Sequence, residues 1–144
     1  MTMDLAELVR FMRRSRIAVQ ASVSRAGGPQ AAVVGIAISD SGEIVFDTLG
    51  DTRKAKNLRI DPRIAFVIGW DEERTVQYEG IADEPQGAEL ARVKEVYFSV
   101  FPDGRERERW AGITYFRVRP RWLRYTDFTG AEPGSAELRF PAPA

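Results

Sequence analysis

The chain has 144 residues, of which 44% are hydrophobic and 10% aromatic, a size and composition that suit one domain, residues 1–144, with a buried core. Its 21 basic and 21 acidic residues cancel, so the net charge gives no reason to expect binding to nucleic acid or to an anionic membrane. The absence of cysteine and histidine excludes disulfides, thiolate nucleophiles, Ser-His-Asp catalysis and cysteine zinc sites, and no metal site is expected. No leader pattern and no apolar run of roughly 20 residues is found, which predicts a cytoplasmic protein.

The first part of the chain predicts one helix and a β-hairpin. Asp4 and Glu7 have the spacing of a capping box, and apolar residues follow at helical spacing, which predicts a helix over residues 4–14. The segment RIAVQASVSR (16–25) alternates, with Ile17, Val19, Ala21 and Val23 on one face. The turn AGGP separates it from QAAVVGIAIS (30–39), which indicates a second, antiparallel strand.

The remaining chain alternates strand and helix patterns. A helix begins near Thr52 and ends before Pro62, and a second helix is predicted between residues 85 and 98. Strand patterns occur at IVFDT (44–48), RIAFVIGW (63–70), TVQYEGIADE (75–84), TYFRVRP (114–120) and RWLRYTDF (121–128). Within the last two, RVRPRWLR alternates arginine with apolar residues, as in an edge strand that faces water.

These patterns predict a mainly β fold with peripheral helices. About six short strands linked mainly by hairpins favour a small antiparallel barrel over a doubly wound sheet. The tail, residues 129–144, contains proline, glycine and alanine and is expected to be loosely ordered.

A basic cluster marks the start of the second predicted helix. If Thr52 is the N-cap, Arg53 and Lys54 lie in the first turn, where the helix dipole disfavours cations. Free backbone N–H groups, a hydroxyl and two cations would suit a phosphate. The equally weighted alternative is a solvated helix end whose bases pair with Asp51 and Asp61.

The same segment resembles the flavin-binding part of the pyridoxamine 5'-phosphate oxidase-like family, the FMN-binding split barrels. In that family a strand ending in Thr is followed by Gly, by Ser or Thr, by Arg-Lys-Ala and later by Asn- or Asp-Pro-Arg. This chain has these residue types in the same order, at Thr48, Gly50, Thr52, Arg53, Lys54, Ala55, Asp61, Pro62 and Arg63. The resemblance covers most of residues 17–128 and implies a six-stranded antiparallel split β-barrel that forms a homodimer, with two cofactor sites at its interface.

The resemblance also implies a role for individual residues. Arg53 and Lys54 would contact the FMN phosphate, and the strand at 32–37 would run along the flavin. Asp47 and Thr48 would lie beside the ring system and ribityl chain, while Thr75 would reach the flavin from an adjoining strand. The strand with Tyr125 and Thr126 would approach the flavin of the partner subunit. The implied cofactor-binding residues are Ala32, Val33, Val34, Asp47, Thr48, Thr52, Arg53, Lys54, Thr75, Tyr125 and Thr126.

Several positions depart from the vitamin B6 oxidase of this family. Ala32 stands where that enzyme has an arginine that grips the phosphate, Thr75 replaces a glutamine, and Thr126 replaces a tryptophan. The substrate-binding histidine of the oxidase is absent too, and a histidine-ligated heme, found in related branches, is impossible. The resemblance therefore implies a flavin-dependent oxidoreductase with a different, unidentified small-molecule substrate.

The same residues are compatible with two other functions. A non-catalytic flavin carrier or sensor would need the same site, and related proteins use 8-hydroxy-5-deazaflavin instead of FMN. A flavin carries hydride chemistry itself, so the scarcity of acid–base residues does not exclude an enzyme. Tyr115, Tyr125 and Asp47 are candidate proton donors, with strand-end or surface positions as the plainer interpretation. Trp110 and Trp122 could stack on a ligand or build core and dimer contacts.

Overall fold

The structure, a computed structural model, describes residues 1–142. Its elements in chain order are α1 (Leu5–Met12), β1 (Ile17–Val23), β2 (Pro29–Gly35), β3 (Ala37–Ile38), β4 (Ile44–Leu49), α2 (Arg53–Ile60), β5 (Arg63–Ile68), a 3₁₀ turn (Asp71–Glu73), β6 (Arg74–Asp83), α3 (Gly87–Val100), α4 (Gly104–Arg107), β7 (Ile113–Asp127) and β8 (Gly134–Arg139). The predicted capping box is confirmed, because Asp4 Oδ1 accepts a hydrogen bond from Glu7 N at 2.8 Å and Glu7 Oε2 accepts one from Asp4 N at 3.2 Å. Within the described residues no helix is long and apolar enough to cross a membrane.

The strands form one curled antiparallel sheet. Its order is β2-β1-β5-β6-β7-β4-β3, and β8 adds to β7. Only Ile36 separates β2 from β3, so the two ends of the sheet are halves of a single bent stretch of chain. The sheet therefore curls into a barrel with six strand positions, and the expected split-barrel fold is confirmed. The count of eight strands arises from the bend at Ile36 and from β8.

Strand β8 corrects the expectation of a loosely ordered tail. Residues 134–139 pair with residues 122–127 of β7, and Ala136 is buried. The cause lies in β7, whose pairing with β4 ends at Val118 and leaves an open backbone edge beyond it. The tail covers that edge, although its own apolar pattern is too short to predict a strand. Residues 143 and 144 of the expected loose tail lie outside the described part of the chain.

Strand β1 buries the opposite face from the one its apolar residues predict. Ala18, Gln20 and Ser22 point inward and are buried, whereas Ile17 is 49% exposed on the outer face. The alternation predicted the strand correctly, and the structure shows that its more polar face is the buried one. Apolar side chains of β1 therefore lie on the outside of the barrel.

The core has two parts on either side of the barrel wall. The barrel interior contains a large cluster that includes Phe46, Phe66 and Phe116. A second cluster, with Val45, Val93, Tyr97 and Tyr115 among its members, lies between α3 and the outer face of β4 and β7. Because side chains alternate along a strand, β4 contributes Phe46 to the first cluster and Val45 to the second.

Strand β7 is not an edge strand that faces water. It pairs with β6 on one side and with β4 and β8 on the other, and Arg117 is only 4% exposed. The Arg117 guanidinium contacts Asp83 at 2.6 Å and Glu89 at 2.5 Å. Since Glu89 belongs to α3, this ion-pair network fastens α3 to the barrel.

Candidate functional site

Helix α2 begins with a complete N-cap, as predicted. Thr52 has an extended backbone, and its Oγ1 accepts a hydrogen bond from Ala55 N at 3.4 Å. The same hydroxyl donates to Leu49 O at 2.9 Å and lies 3.0 Å from Thr48 Oγ1, so it accepts from Thr48. All three hydrogen bonds of the Thr52 hydroxyl are thus made within the cap. Thr52 would act on a ligand indirectly, by holding the helix terminus in position.

The first turn of α2 concentrates unpaired positive charge. The first intrahelical hydrogen bond runs from Lys56 N to Thr52 O at 3.1 Å, so the N–H groups of Arg53 and Lys54 have no helical acceptor. No acidic residue lies in this turn. The helix dipole adds further positive potential at the same place.

The alternative in which acidic neighbours neutralise these bases is not observed. Asp61 pairs with Arg63, with 2.6 Å between Oδ2 and Nη2, and hydrogen bonds from Arg63 lower the pKa of Asp61 to about 2. Among residues 1–142, no carboxylate lies within 4.0 Å of the charged groups of Arg53 or Lys54. Two cations at the helix terminus are therefore available to a ligand.

A depression of about 320 Å³ lies between this helix terminus and strands β1 and β2. We call it the cradle, and it is lined by Gln20, Ser22, Gln30, Ala31, Ala32, Thr52, Arg53 and Lys54. Asn57 of α2 fixes its polar floor, because its Nδ2 donates to Ser22 Oγ at 3.1 Å and to Gln30 Oε1 at 2.8 Å. The cradle combines two cations, free N–H groups and neutral polar side chains, a set that can bind a phosphate.

Sequence reasoning missed the polar floor of the cradle. Gln20, Ser22 and Asn57 were not selected as site residues, although all three are buried. A signal was present in the sequence, since Gln20 and Ser22 share one face of a predicted strand. Alternation alone does not say which face of a strand is buried, so this signal did not identify Gln20 and Ser22 as site residues.

The predicted residues on β2 lie beside the cradle at an open strand edge. Ala32 and Val33 are exposed, and Val33 is 61% exposed, whereas Val34 is buried in the barrel. Within residues 1–142, strand β2 pairs with β1 on one side only, so backbone groups on its other edge have no strand partner there. This is the arrangement that ligand contacts through the backbone require.

Asp47 and Thr48 point to opposite faces of β4. Thr48 is buried and contacts the cap of α2 through Thr52. Asp47 faces α3 and α4, where Oδ1 accepts from Tyr97 Oη at 2.9 Å and Oδ2 accepts from Arg107 Nε at 3.1 Å. Burial, reinforced by the Asp47 charge, raises the pKa of Tyr97. Only Thr48 of this pair adjoins the cradle.

The other candidate proton donors are buried away from the cradle. Tyr115 lies under α3, and burial raises the pKa of its phenol to about 12. Tyr125 lies in the barrel core, where its ring meets Phe11 edge to face at 5.1 Å. Neither tyrosine lines the cradle, nor do the two candidate tryptophans, Trp110 and Trp122.

Thr75 and Thr126 form a separate group at the other end of the barrel. They are direct partners in the register of β6 and β7. The end of β5 that follows α2 pairs with Ile81, and its far end pairs with Val76, next to Thr75. Neither Thr75 nor Thr126 lines the cradle of the same chain. One chain therefore carries the predicted residues as two groups that do not meet.

Comparison with known proteins relates this arrangement to a family. A sequence profile of the pyridoxamine 5'-phosphate oxidase family matches residues 5–127. The pyridoxine/pyridoxamine 5'-phosphate oxidase of Bordetella pertussis is 30% identical over 119 residues, which cover 78% of this chain and 55% of that protein. The chain thus spans about half the length of the curated relatives it matches.

Two solved structures illustrate the shared fold. A heme-binding protein from Mycobacterium smegmatis has a TM-score of 0.77 at 21% identity, covering 94% of this chain and 58% of that one. A pyridoxamine 5'-phosphate oxidase-related, FMN-binding protein from Nostoc punctiforme has a TM-score of 0.67 at 10% identity, covering 96% and 95%. Because the family profile matches most of the chain and the structure has the split-barrel fold, this chain belongs to the pyridoxamine 5'-phosphate oxidase family.

Proposed function

We propose that this protein binds FMN in the cradle and acts as a flavin-dependent oxidoreductase on a small molecule. The observation that carries the proposal is the pair of unpaired cations, Arg53 and Lys54, at a capped helix terminus beside a polar depression. Family membership supports it, and the FMN-binding protein from Nostoc punctiforme shows that a protein of the same fold can hold this cofactor. The residues present fit a terminal phosphate, which is the part of FMN that a basic helix terminus can recognise.

The chain's own residues would bind and orient the cofactor. Arg53, Lys54 and their N–H groups neutralise the phosphate dianion, and the Thr52 cap holds the helix terminus in place. Because Ala32 provides no cation, these two side chains carry the charge recognition of the cradle. The free edge of β2 would orient the flavin through backbone contacts. A bound flavin supplies hydride transfer, which the polypeptide alone cannot perform.

We further propose a homodimer in which two subunits complete each site. Thr75 and Thr126 do not line the cradle of their own chain, and in a dimer the same residues of a second subunit could reach it. The outer barrel face is apolar, with Ile17 49%, Val33 61% and Val67 40% exposed. Burial of such a surface between subunits would stabilise the dimer. Light scattering at micromolar protein with FMN bound should give the dimer mass, and a monomer would contradict this proposal.

The cofactor assignment is tested by comparing ligands that differ in the phosphate. Isothermal titration with FMN, riboflavin and 8-hydroxy-5-deazaflavin should give tightest binding for FMN, about tenfold or more over riboflavin. Equal affinities for FMN and riboflavin would contradict phosphate recognition. Tight binding of the deazaflavin alone would favour a deazaflavin-dependent reductase instead.

A flavin carrier or sensor without turnover is the second candidate. It is favoured by the placement of Asp47 and Tyr115, which face α3 instead of the cradle. Anaerobic addition of NADH or NADPH to the FMN-loaded protein separates the two functions, because an oxidoreductase loses its yellow colour and regains it with an electron acceptor. Colour that persists with every donor would favour the carrier. Subcellular fractionation would test the expected cytoplasmic location.

The heme-binding structural neighbour gives no support for heme binding by this chain. The Mycobacterium smegmatis protein is described as heme-binding, but at 21% identity the likeness concerns the fold alone. The sequence contains no histidine, so a histidine-ligated heme is excluded.

A further inference from the structure

The cradle contains a buried polar side chain without a partner. Gln20 is only 2% exposed, and its Oε1 accepts no hydrogen bond from any described residue. Buried polar groups in folded proteins are almost always hydrogen-bonded, because an unpaired one loses its hydration without compensation. Gln20 therefore requires an explanation that the packing of this chain does not supply.

The neighbouring polar side chains form hydrogen bonds with one another, and none of these bonds involves Gln20 Oε1. Asn57 donates both to Ser22 and to Gln30, which completes the floor of the cradle. Across the strands, Gln20 is opposite Ala32 of β2 and Phe66 of β5. A methyl group and a phenyl ring cannot donate a hydrogen bond to Oε1. Ala32 lines the cradle together with Gln20.

The position of Gln20 relates it to the charged part of the cradle. Gln20 lines the same depression as Arg53 and Lys54. Its side chain is neutral, so it complements a ligand through a hydrogen bond and adds no charge. An unpaired carbonyl oxygen requires an O–H or N–H donor, and a phosphorylated polyol offers hydroxyl groups close to its phosphate.

We propose that Gln20 is a ligand-binding residue of the cradle, and that its carboxamide hydrogen-bonds a hydroxylated chain next to the phosphate held by Arg53 and Lys54. The inference rests on the proposed phosphate-binding function. It adds that Gln20 contributes affinity for the hydroxylated chain of the ligand, such as the ribityl chain of FMN, beyond that of the phosphate. In the apo-protein the unpaired buried carboxamide lowers the free energy of unfolding, and ligand binding supplies the missing hydrogen bond.

The test replaces Gln20 with a residue of similar shape that lacks polar atoms. Gln20→Met should weaken FMN binding by about tenfold, while inorganic phosphate, measured by its competition with FMN, should bind Gln20→Met and wild type alike. The apo-protein should melt at the same temperature or a few degrees higher, because an unpaired buried amide has been removed. Gln86→Met, at the exposed start of α3, is the matched control and should change neither affinity.

The outcomes distinguish the inference from the function on which it rests. If wild type and Gln20→Met bind FMN equally and the variant melts higher, Gln20 is only an unpaired core residue, and the inference is overturned while phosphate binding stands. If wild type binds neither FMN nor inorganic phosphate, both proposals are overturned. Weaker binding of FMN with unchanged phosphate affinity supports the assignment of Gln20 to the polyol.

Discussion

Replacement of Lys54 by alanine tests the cradle directly. Lys54 lies in the first turn of α2, is partly buried, and has no acidic partner among residues 1–142. A hydrogen bond between a cation and a phosphate contributes roughly 1.5 to 3 kcal/mol. Lys54→Ala should therefore weaken FMN binding by about ten- to a hundredfold.

The same substitution should not destabilise the folded protein. A cation at a helix N-terminus opposes the helix dipole by about 0.3 to 1 kcal/mol, so its removal relieves that repulsion. For a domain of this size the melting temperature of the apo-protein should stay level or rise by up to about 3 °C. A loss of affinity combined with unchanged or higher stability indicates a lost interaction with the ligand and not a loss of folding.

Lys56→Ala is the matched control. Lys56 is exposed, lines no part of the cradle, and lies about 200° around the helix axis from Lys54. Isothermal titration should show near wild-type FMN affinity for this variant, and riboflavin should bind to wild type and to Lys54→Ala alike. Equal losses at Lys54 and Lys56, or an equal loss for riboflavin, would refute the phosphate contact.

Three further predictions concern the barrel and the packing of α3 against it. Arg117→Met should lower the free energy of unfolding by about 1 to 3 kcal/mol in urea titrations. The loss is smaller than for a fully buried ion pair because the acidic partners, Asp83 and Glu89, regain water. An unchanged urea midpoint would show that the ion-pair network contributes nothing to stability. Gly80→Ala should cost about 1 to 3 kcal/mol, since a Cβ would lie 2.6 Å from both Arg119 O and Val118 Cγ1, and wild-type melting would contradict this contact. Burial raises the pKa of Tyr115 from 10.0 to about 12, so the stability from its neutral phenol is complete below pH 10 and is lost as the pH rises to 12. Ultraviolet titration of tyrosinate should show this delayed ionisation, and Tyr115→Phe should reduce the alkaline loss of stability.

Local patterns predicted most of the elements. The capping box at Asp4, the Thr52 cap and the turn between β1 and β2 depend on residues close in the chain, so their signals survive without tertiary information. The basic cluster at Arg53 and Lys54 was visible for the same reason. The predicted strand over residues 30–39 is divided at Ile36 into β2 and β3. This bend was not predicted, because it depends on which neighbouring strand each half joins.

The sequence by itself determined the antiparallel barrel, its capped helix and the two cations at that helix terminus. Tertiary structure decided which face of β1 is buried, because apolar residues on an alternating strand can face either a core or another subunit. It also decided that Asp47 turns toward α3, and that Gln20 lines the same depression as the two cations. Contacts between strands far apart in sequence fix these orientations, and a one-residue change in register would reverse every one of them.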